Sequence, residues 1–185
     1  DATYLAAGFS KVLARSRYTG DTDTATLTDS QANDKFVGQA NDKFVGRPNK
    51  ARLYSIVDGS EFDVVVRSFD SAIVEFPNGG IDKARLTDSA QQDHFVGHAT
   101  ESTFDGPGFH FTIRQAEEVS ITSLSNTDND TAVLNDTAVN DLLKGSVNGN
   151  GEKLIQFYSV DELGQMLYQL IDVESVEAWG TTGTN

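Results

Sequence analysis

Pairs of aspartates five residues apart are the side chains of this chain best suited to chemistry. Each pair lies in a segment of the form Leu-(Thr/Asn)-Asp-(Ser/Thr)-x-x-(Asn/Gln)-Asp, and the pairs are Asp29 and Asp34, Asp88 and Asp93, and Asp136 and Asp141. Carboxylates grouped in this way can bridge a hard cation, and Ca²⁺ is the natural candidate because it prefers oxygen ligands. The six aspartates are therefore the predicted metal ligands.

The same aspartates have a purely structural interpretation. An Asp close to a Ser or Thr can cap a turn through side-chain hydrogen bonds to the backbone. Two neighbouring acids could also perform general acid–base catalysis. Three equivalent pairs in three repeats are typical of a scaffold, however, because an active site rarely recurs with the repeat. We therefore predict no enzyme and no catalytic residues.

Composition excludes several classes of function. The chain has 185 residues, of which 14 are basic and 28 acidic, giving a formal charge of −14 and no cysteine. This acid excess argues against binding to nucleic acid or to anionic membranes, since both need Lys and Arg. The absence of cysteine excludes disulfides and thiolate chemistry. No apolar run approaches the ~18 residues of a membrane-spanning helix, so membrane insertion is not expected.

Three repeats of about 50 residues position the aspartates. Asp23, Asp82 and Asp130 each begin a unit, and three similar blocks follow in each. The first blocks are Thr24–Ser30, Lys83–Ser89 and Thr131–Thr137; the second are Asn33–Gly38, Gln92–Gly97 and Asn140–Gly145; the third are Phe69–Ala72, Ala116–Val119 and Val173–Val176, with a further copy at Phe9–Val12. We predict one repeat domain over 1–185, divided into a partial opening coil (1–22) and repeats at 23–81, 82–129 and 130–185.

Repeat 1 contains an exact internal duplication. The octapeptide Gln31–Gly38 is followed at once by an identical copy, Gln39–Gly46. We expect the extra copy to be accommodated as a loop or an added short turn.

The blocks predict short strands separated by turns. Thr24–Thr28 alternates with a period of two, and Phe62–Val66 and Ala72–Phe76 are rich in β-branched and aromatic residues. The prediction is an all-β fold, a parallel β-solenoid with two coils in each repeat and each block-one leucine stacked on the next, with a β-sandwich as the alternative. Only Val160–Ile171 has apolar residues at helical spacing, and helix and strand are left open there.

The blocks resemble the tandem repeats of very large secreted or surface proteins of planctomycete-type bacteria. The residues that carry this resemblance are Leu27–Gly38, Leu86–Gly97, Leu134–Gly145 and Phe69–Glu75. Asn33–Gly38 is also distantly similar to the calcium-binding nonapeptide repeats of RTX proteins, although Gln31-Ala32 stands where that family has a glycine pair.

These observations predict an extracellular or cell-surface structural protein. Its expected partners are copies of itself, joined head to tail into a filament or surface layer, because an uncapped repeat stack exposes strand edges that accept another unit. Two alternatives remain. One is a calcium-stabilised adhesin or carbohydrate-binding module that recognises cell-surface glycans. The other is a polysaccharide-acting β-helix enzyme.

Overall fold

The computed structural model describes residues 11–16, 22–28, 42–55, 63–77, 81–125, 127–135, 137, 140–159 and 165–180, and all of its regular elements are β-strands. The all-β prediction is therefore confirmed. The strands are β1 (Lys11–Arg15), β2 (Thr24–Thr28), β3 (Asp42–Arg47), β4 (Lys50–Ser55), β5 (Asp63–Arg67), β6 (Ser71–Glu75), β7 (Lys83–Thr87), β8 (His94–Gly97), β9 (Glu101–Gly106), β10 (Phe109–Arg114), β11 (Glu118–Thr122), β12 (Thr131–Asn135), β13 (Asp141–Val147), β14 (Lys153–Ser159), β15 (Gln165–Ile171) and β16 (Ser175–Trp179).

The segment with helical spacing is extended. Gln165–Ile171 forms strand β15, so the helical interpretation is wrong for these residues. Tyr168 and Leu170 lie in the core and the strand pairs on both sides, which shows that tertiary pairing overrides the local pattern. Across the described ranges, no helix is long and apolar enough to cross a membrane.

One order of five strands recurs in each predicted repeat, and we name its positions a to e. Unit 1 comprises β2 to β6, unit 2 comprises β7 to β11, and unit 3 comprises β12 to β16. Positions b, c and d form an antiparallel meander, whereas a and e pair in parallel. Block one supplies position a, block two supplies b, and block three supplies e.

The two sheets are mixed, and each unit contributes to both. Their strand orders are β1-β5-β4-β3-β7-β11-β15-β14-β13 and β16-β12-β8-β9-β10-β6-β2. Units 1 and 3 place their meanders in the nine-stranded sheet and their a/e pairs in the seven-stranded sheet, while unit 2 does the reverse. The chain therefore crosses from one sheet to the other within every unit, and the sheet that receives the meander alternates from one unit to the next.

Successive units meet through two parallel joints, one in each sheet. Position b of one unit pairs with position a of the next, as in β3 with β7 and β8 with β12. Position e pairs with position d of the next unit, as in β6 with β10 and β11 with β15. The joints between units are thus parallel, and the antiparallel pairing lies within the meanders.

The core lies between the sheets because alternate residues of each strand point inward. In β2, Ala25 and Leu27 are buried while the three threonines are exposed. The predicted stacking of block-one leucines is wrong: Leu86 lies beside Ile121 on one side and Gly46 on the other. Consecutive copies of position a belong to opposite sheets, so these leucines cannot be cross-strand neighbours.

A left-handed residue connects position d to position e in every unit. Ser68, Gln115 and Asp172 have φ of 57°, 61° and 59°. Each donates its backbone N–H to a carbonyl at or just before the start of the middle strand of the meander, position c, at Asn49, Thr100 and Lys153 respectively. The same turn geometry thus redirects the chain from one sheet to the other three times.

The duplicated octapeptide and the opening segment both have defined places. The second copy supplies β3, since Asp42–Arg47 pairs with β7 as β8 pairs with β12. The first copy lies outside the described residues. Strand β1 takes position e ahead of unit 1, because it pairs in parallel with β5 in the register that β6 uses on β10.

Candidate functional site

Carboxylates at the start of each e strand hold the beginning of the paired a strand. The Asp23 N–H donates to Asp70 Oδ2 (3.0 Å), that of Asp82 to Glu117 Oε2 (2.7 Å), and that of Asp130 to Glu174 Oε2 (2.8 Å). Returning bonds run from Ser71, Glu118 and Ser175 N–H to the carbonyls of Asp23, Asp82 and Asp130. These contacts explain why an acid precedes block one and why the second residue of block three is an acid in every unit.

The second aspartate of each predicted metal pair acts as a turn cap where the structure describes it. The Ser89 backbone N–H donates to Asp93 Oδ2 at 2.7 Å, and the Ser89 hydroxyl donates to the same carboxylate. Thr137 makes the corresponding bonds to Asp141, with its backbone N–H 2.8 Å from Oδ2. The sequence signature Ser/Thr-x-x-x-Asp is therefore a hydrogen-bonded turn.

The structure describes three of the six predicted ligands, Asp88, Asp93 and Asp141. Asp29, Asp34 and Asp136 lie outside the described residues. Asp88 and Asp93 are both buried in unit 2, whereas Asp141 lies at the start of the unit 3 meander.

A compact group of carboxylates forms where units 2 and 3 meet. Asp88, Asp128 and Asp130 each bring one carboxylate oxygen within 4.8 Å of the others. Asp88 and Asp130 are each only 3% exposed, and the Asp93 N–H donates to Asp130 Oδ1 at 2.8 Å. We call Asp88, Asp128 and Asp130 the joint carboxylates.

Burial and mutual proximity make the charged form of the joint carboxylates unfavourable. Burial raises the pKa of Asp88 to about 7; the Leu124 N–H, which donates to its carboxylate, opposes this shift, and the adjacent Asp130 adds to it. Burial also raises the pKa of Asp93, against the hydrogen bonds from Ser89. Among the described residues, no Lys, Arg or His forms an ion pair with these acids.

Sequence reasoning did not select two of these three residues as ligands. The repeat pattern identifies Asp130 only as the start of a repeat and does not point to Asp128. The available signal is the triplet Asp128-Asn129-Asp130, in which an Asn, a residue that tolerates the left-handed region and has φ of 64° here, separates two acids. At the position of Asp128, unit 1 has Asp21 and unit 2 has Gly80, so an acid stands there in two of the three units.

A second feature is a glycine that accommodates an aromatic ring at each internal joint. A Cβ built on Gly46 would lie 2.9 Å from the Phe111 ring, and one on Gly97 would lie 2.9 Å from Tyr168 Cζ. In both cases the glycine belongs to position b of one unit and the ring to position d of the next, in the opposite sheet. We call this arrangement the glycine socket.

Hydrogen bonds hold Tyr168 in place in addition to the packing of its ring. Its hydroxyl donates to the His98 carbonyl at 2.7 Å, next to Gly97, and accepts from Ser102 Oγ at 3.4 Å. Burial raises the pKa of this phenol, which therefore remains a neutral donor. The ring also packs edge-on against Phe95, with centroids 5.6 Å apart.

The third glycine of the series differs. The nearest heavy atom to a Cβ on Gly145 would be Ile155 Cδ1 at 3.5 Å, within the same meander. Strand β13 ends its sheet and is largely exposed, so no ring from a following unit covers this socket in the described structure.

In comparisons with protein-family models, curated proteins and solved structures, nothing matches this chain.

Proposed function

We propose that this chain is a structural repeat protein that associates head to tail with copies of itself, forming a filament or layer. The observation that carries the proposal is the open glycine socket at Gly145. At both internal joints the equivalent glycine is covered by an aromatic side chain of the following unit. A surface that is used at both internal joints and left open at Gly145 among the described residues can accept one more unit.

The exposed apolar residues at this end support the same proposal. Leu142, Leu143 and Val147 of β13 are 42%, 45% and 67% exposed, and Trp179 of β16 is 61% exposed. These two strands are the last in their respective sheets. They occupy positions b and e of unit 3, which are the positions that join each earlier unit to its successor.

The internal joints dictate the register of the proposed contact. In them, Phe95 lies beside Ala132 and Gly97 beside Leu134. By equivalence, β13 pairs in parallel with β2 of the next copy, and Gly145 lies beside its Leu27. The edge of β2 is the last in its own sheet, so it is available for this pairing.

Strand β1 regulates the second half of the contact in this proposal. Complete repetition would place β16 on β5 of the next copy, but β1 already occupies that position. The two strands are thus alternative occupants of one sheet edge. Assembly requires β16 to displace β1 of the neighbouring copy, which is a strand exchange between identical chains.

In this proposal the fold is a solenoid-like stack whose units alternate between two sheets. The parallel joints between units support it, and continuation across copies would extend both sheets without closing them. A sandwich of the same sheets without continuation is the alternative architecture. An extracellular location is supported by the resemblance to secreted and surface repeat proteins, and glycan recognition remains the alternative role.

Engineered disulfides test the contact directly because the chain has no cysteine of its own. In the proposed register Lys144 lies opposite Thr26 of the next copy, at the ~4.8 Å spacing of paired strands, which suits a disulfide. The double variant Lys144→Cys/Thr26→Cys should give a ladder of covalent multimers under mild oxidation, whereas Lys144→Cys/Glu101→Cys should not. A wild-type chain that stays strictly monomeric at rising concentration in sedimentation and electron microscopy would overturn the proposal.

A further inference from the structure

We propose that the joint carboxylates Asp88, Asp128 and Asp130 bind one Ca²⁺ ion that fastens unit 2 to unit 3. This inference is independent of self-association, since all three residues belong to one chain. It also differs from the six ligands predicted from the repeat, of which only Asp88 is retained.

Geometry supports a single shared ion. One oxygen from each carboxylate lies within 4.8 Å of the other two. Ca²⁺ binds carboxylate oxygens at about 2.3–2.6 Å. Two oxygens on opposite sides of one ion are therefore separated by about twice this distance, ~4.6–5.2 Å. The three oxygens are thus already spaced to surround one ion, with further positions left for water.

Buried oxygens without partners provide the second observation. Asp130 is 3% exposed, and its Oδ2 is buried with no hydrogen-bond partner. Both carboxylate oxygens of Asp128 are likewise buried and without a partner. Buried carboxylates normally have hydrogen bonds or a counter-charge. A divalent cation would satisfy the unpartnered oxygens of Asp128 and Asp130 and neutralise most of the negative charge of the joint carboxylates.

The surrounding hydrogen bonds hold the carboxylates in place without using the free oxygens. Leu124 N–H donates to Asp88, and Asp93 N–H donates to Oδ1 of Asp130, leaving Oδ2 available. Asp128 and Asp130 flank Asn129, whose backbone is held in the left-handed conformation. A bound ion would therefore meet ligands whose backbone is already ordered, which favours affinity.

The position of the site defines its role. Asp88 follows β7 in the nine-stranded sheet, while Asp128 and Asp130 precede β12 in the seven-stranded sheet. An ion at this point links the two sheets where unit 3 begins. At the joint between units 1 and 2 the residue equivalent to Asp128 is Gly80, so that joint lacks one of the three carboxylates.

Calorimetric titration of the chelator-treated 185-residue chain with CaCl2 tests the proposal. We expect one calcium per chain, and a Tm increase of about 5–10 °C at a hundredfold excess over Kd. Asp128→Asn should strongly reduce both responses, because an uncharged amide oxygen is a weaker ligand than a carboxylate, whereas the exposed Glu177→Gln, which removes the same charge elsewhere, should retain them. Circular dichroism in chelator establishes that Asp128→Asn is folded.

Three results would overturn the assignment. They are the absence of binding heat in the folded wild-type chain, an undiminished response in Asp128→Asn, and Mg²⁺ binding at least as tight as that of Ca²⁺. Sedimentation of the same samples reports self-association separately. Calcium binding by a monomer would leave this inference intact even if the proposed assembly failed.

Discussion

Gly97 in one sheet lies against the ring of Tyr168 in the other, so closely that a Cβ on the glycine would stand 2.9 Å from the ring Cζ. The glycine is thus a steric requirement of the joint between units 2 and 3. Its backbone needs no unusual conformation, because its φ is not among the positive values of this chain. What the position demands is space.

We expect Gly97→Ala to destabilise the chain by about 1–3 kcal/mol, because the added methyl group overpacks the buried Tyr168 ring. Gly145→Ala is the matched control, since the socket there is open and the nearest atom to the new Cβ would be Ile155 Cδ1 at 3.5 Å. Its free energy of unfolding should change by no more than about 0.5 kcal/mol. Urea titration measures both, and equal losses would contradict the steric role of the socket.

The carboxylate that precedes each e strand should contribute according to its burial. Glu117→Ala should cost about 1–3 kcal/mol, because it removes the acceptor of the partly buried Asp82 N–H at 2.7 Å. Asp70→Ala should cost less, since the equivalent bond to Asp23 is exposed and 3.0 Å long. Glu117→Gln keeps an acceptor and should recover most of the loss. Thermal and urea unfolding check the ranking, and a larger loss in Asp70→Ala would contradict it.

Weakening β1 should promote self-association. Val12 is partly buried, whereas the adjacent Leu13 is 67% exposed. Val12→Asp therefore loosens β1 from β5 and frees that edge for β16 of another copy, while Leu13→Asp adds the same charge on the exposed side. Sedimentation velocity should show more assembled material for Val12→Asp than for wild type or Leu13→Asp. Identical behaviour of the two variants would show that β1 does not compete with β16.

Asp88→Asn should have opposite effects with and without calcium. In chelator at pH 8, above the pKa of about 7 that burial gives Asp88, the variant removes one of several buried like charges and should raise Tm. In saturating calcium it lacks a ligand and should melt below wild type. Differential scanning calorimetry in both buffers measures the crossover. A lower Tm in chelator would mean that the carboxylate is not a source of repulsion.

Local pattern was sufficient to predict several elements. Thr24–Thr28 forms a strand with the predicted bounds. The predicted strands Phe62–Val66 and Ala72–Phe76 are each shifted by one residue along the chain relative to the observed strands. Residue period and side-chain type determine these features over a few neighbours, so a single sequence contains them.

Pairing could not be predicted in the same way. Nothing in the period of β15 distinguishes a strand between β11 and β14 from a helix, and the decision comes from partners distant in sequence. The duplicated octapeptide offers two identical candidates for β3, and local preference cannot rank identical segments. The copy adjacent to the β4 hairpin forms the strand, since a short turn at Arg47–Lys50 joins the two.

The sequence by itself determined the all-β composition, the periodic placement of acids and the residues that begin each a strand, because these depend on side-chain type and short spacing. Only the tertiary structure decided that successive units alternate between sheets, that Tyr168 covers Gly97, and that Asp88 approaches Asp128 and Asp130. The physical reason is that hydrogen bonds within a unit depend on its own sequence and therefore recur in every copy. The residues that contact a unit from outside depend instead on which sheet each of its strands joins. The acids that matter at the joint therefore come from two consecutive units.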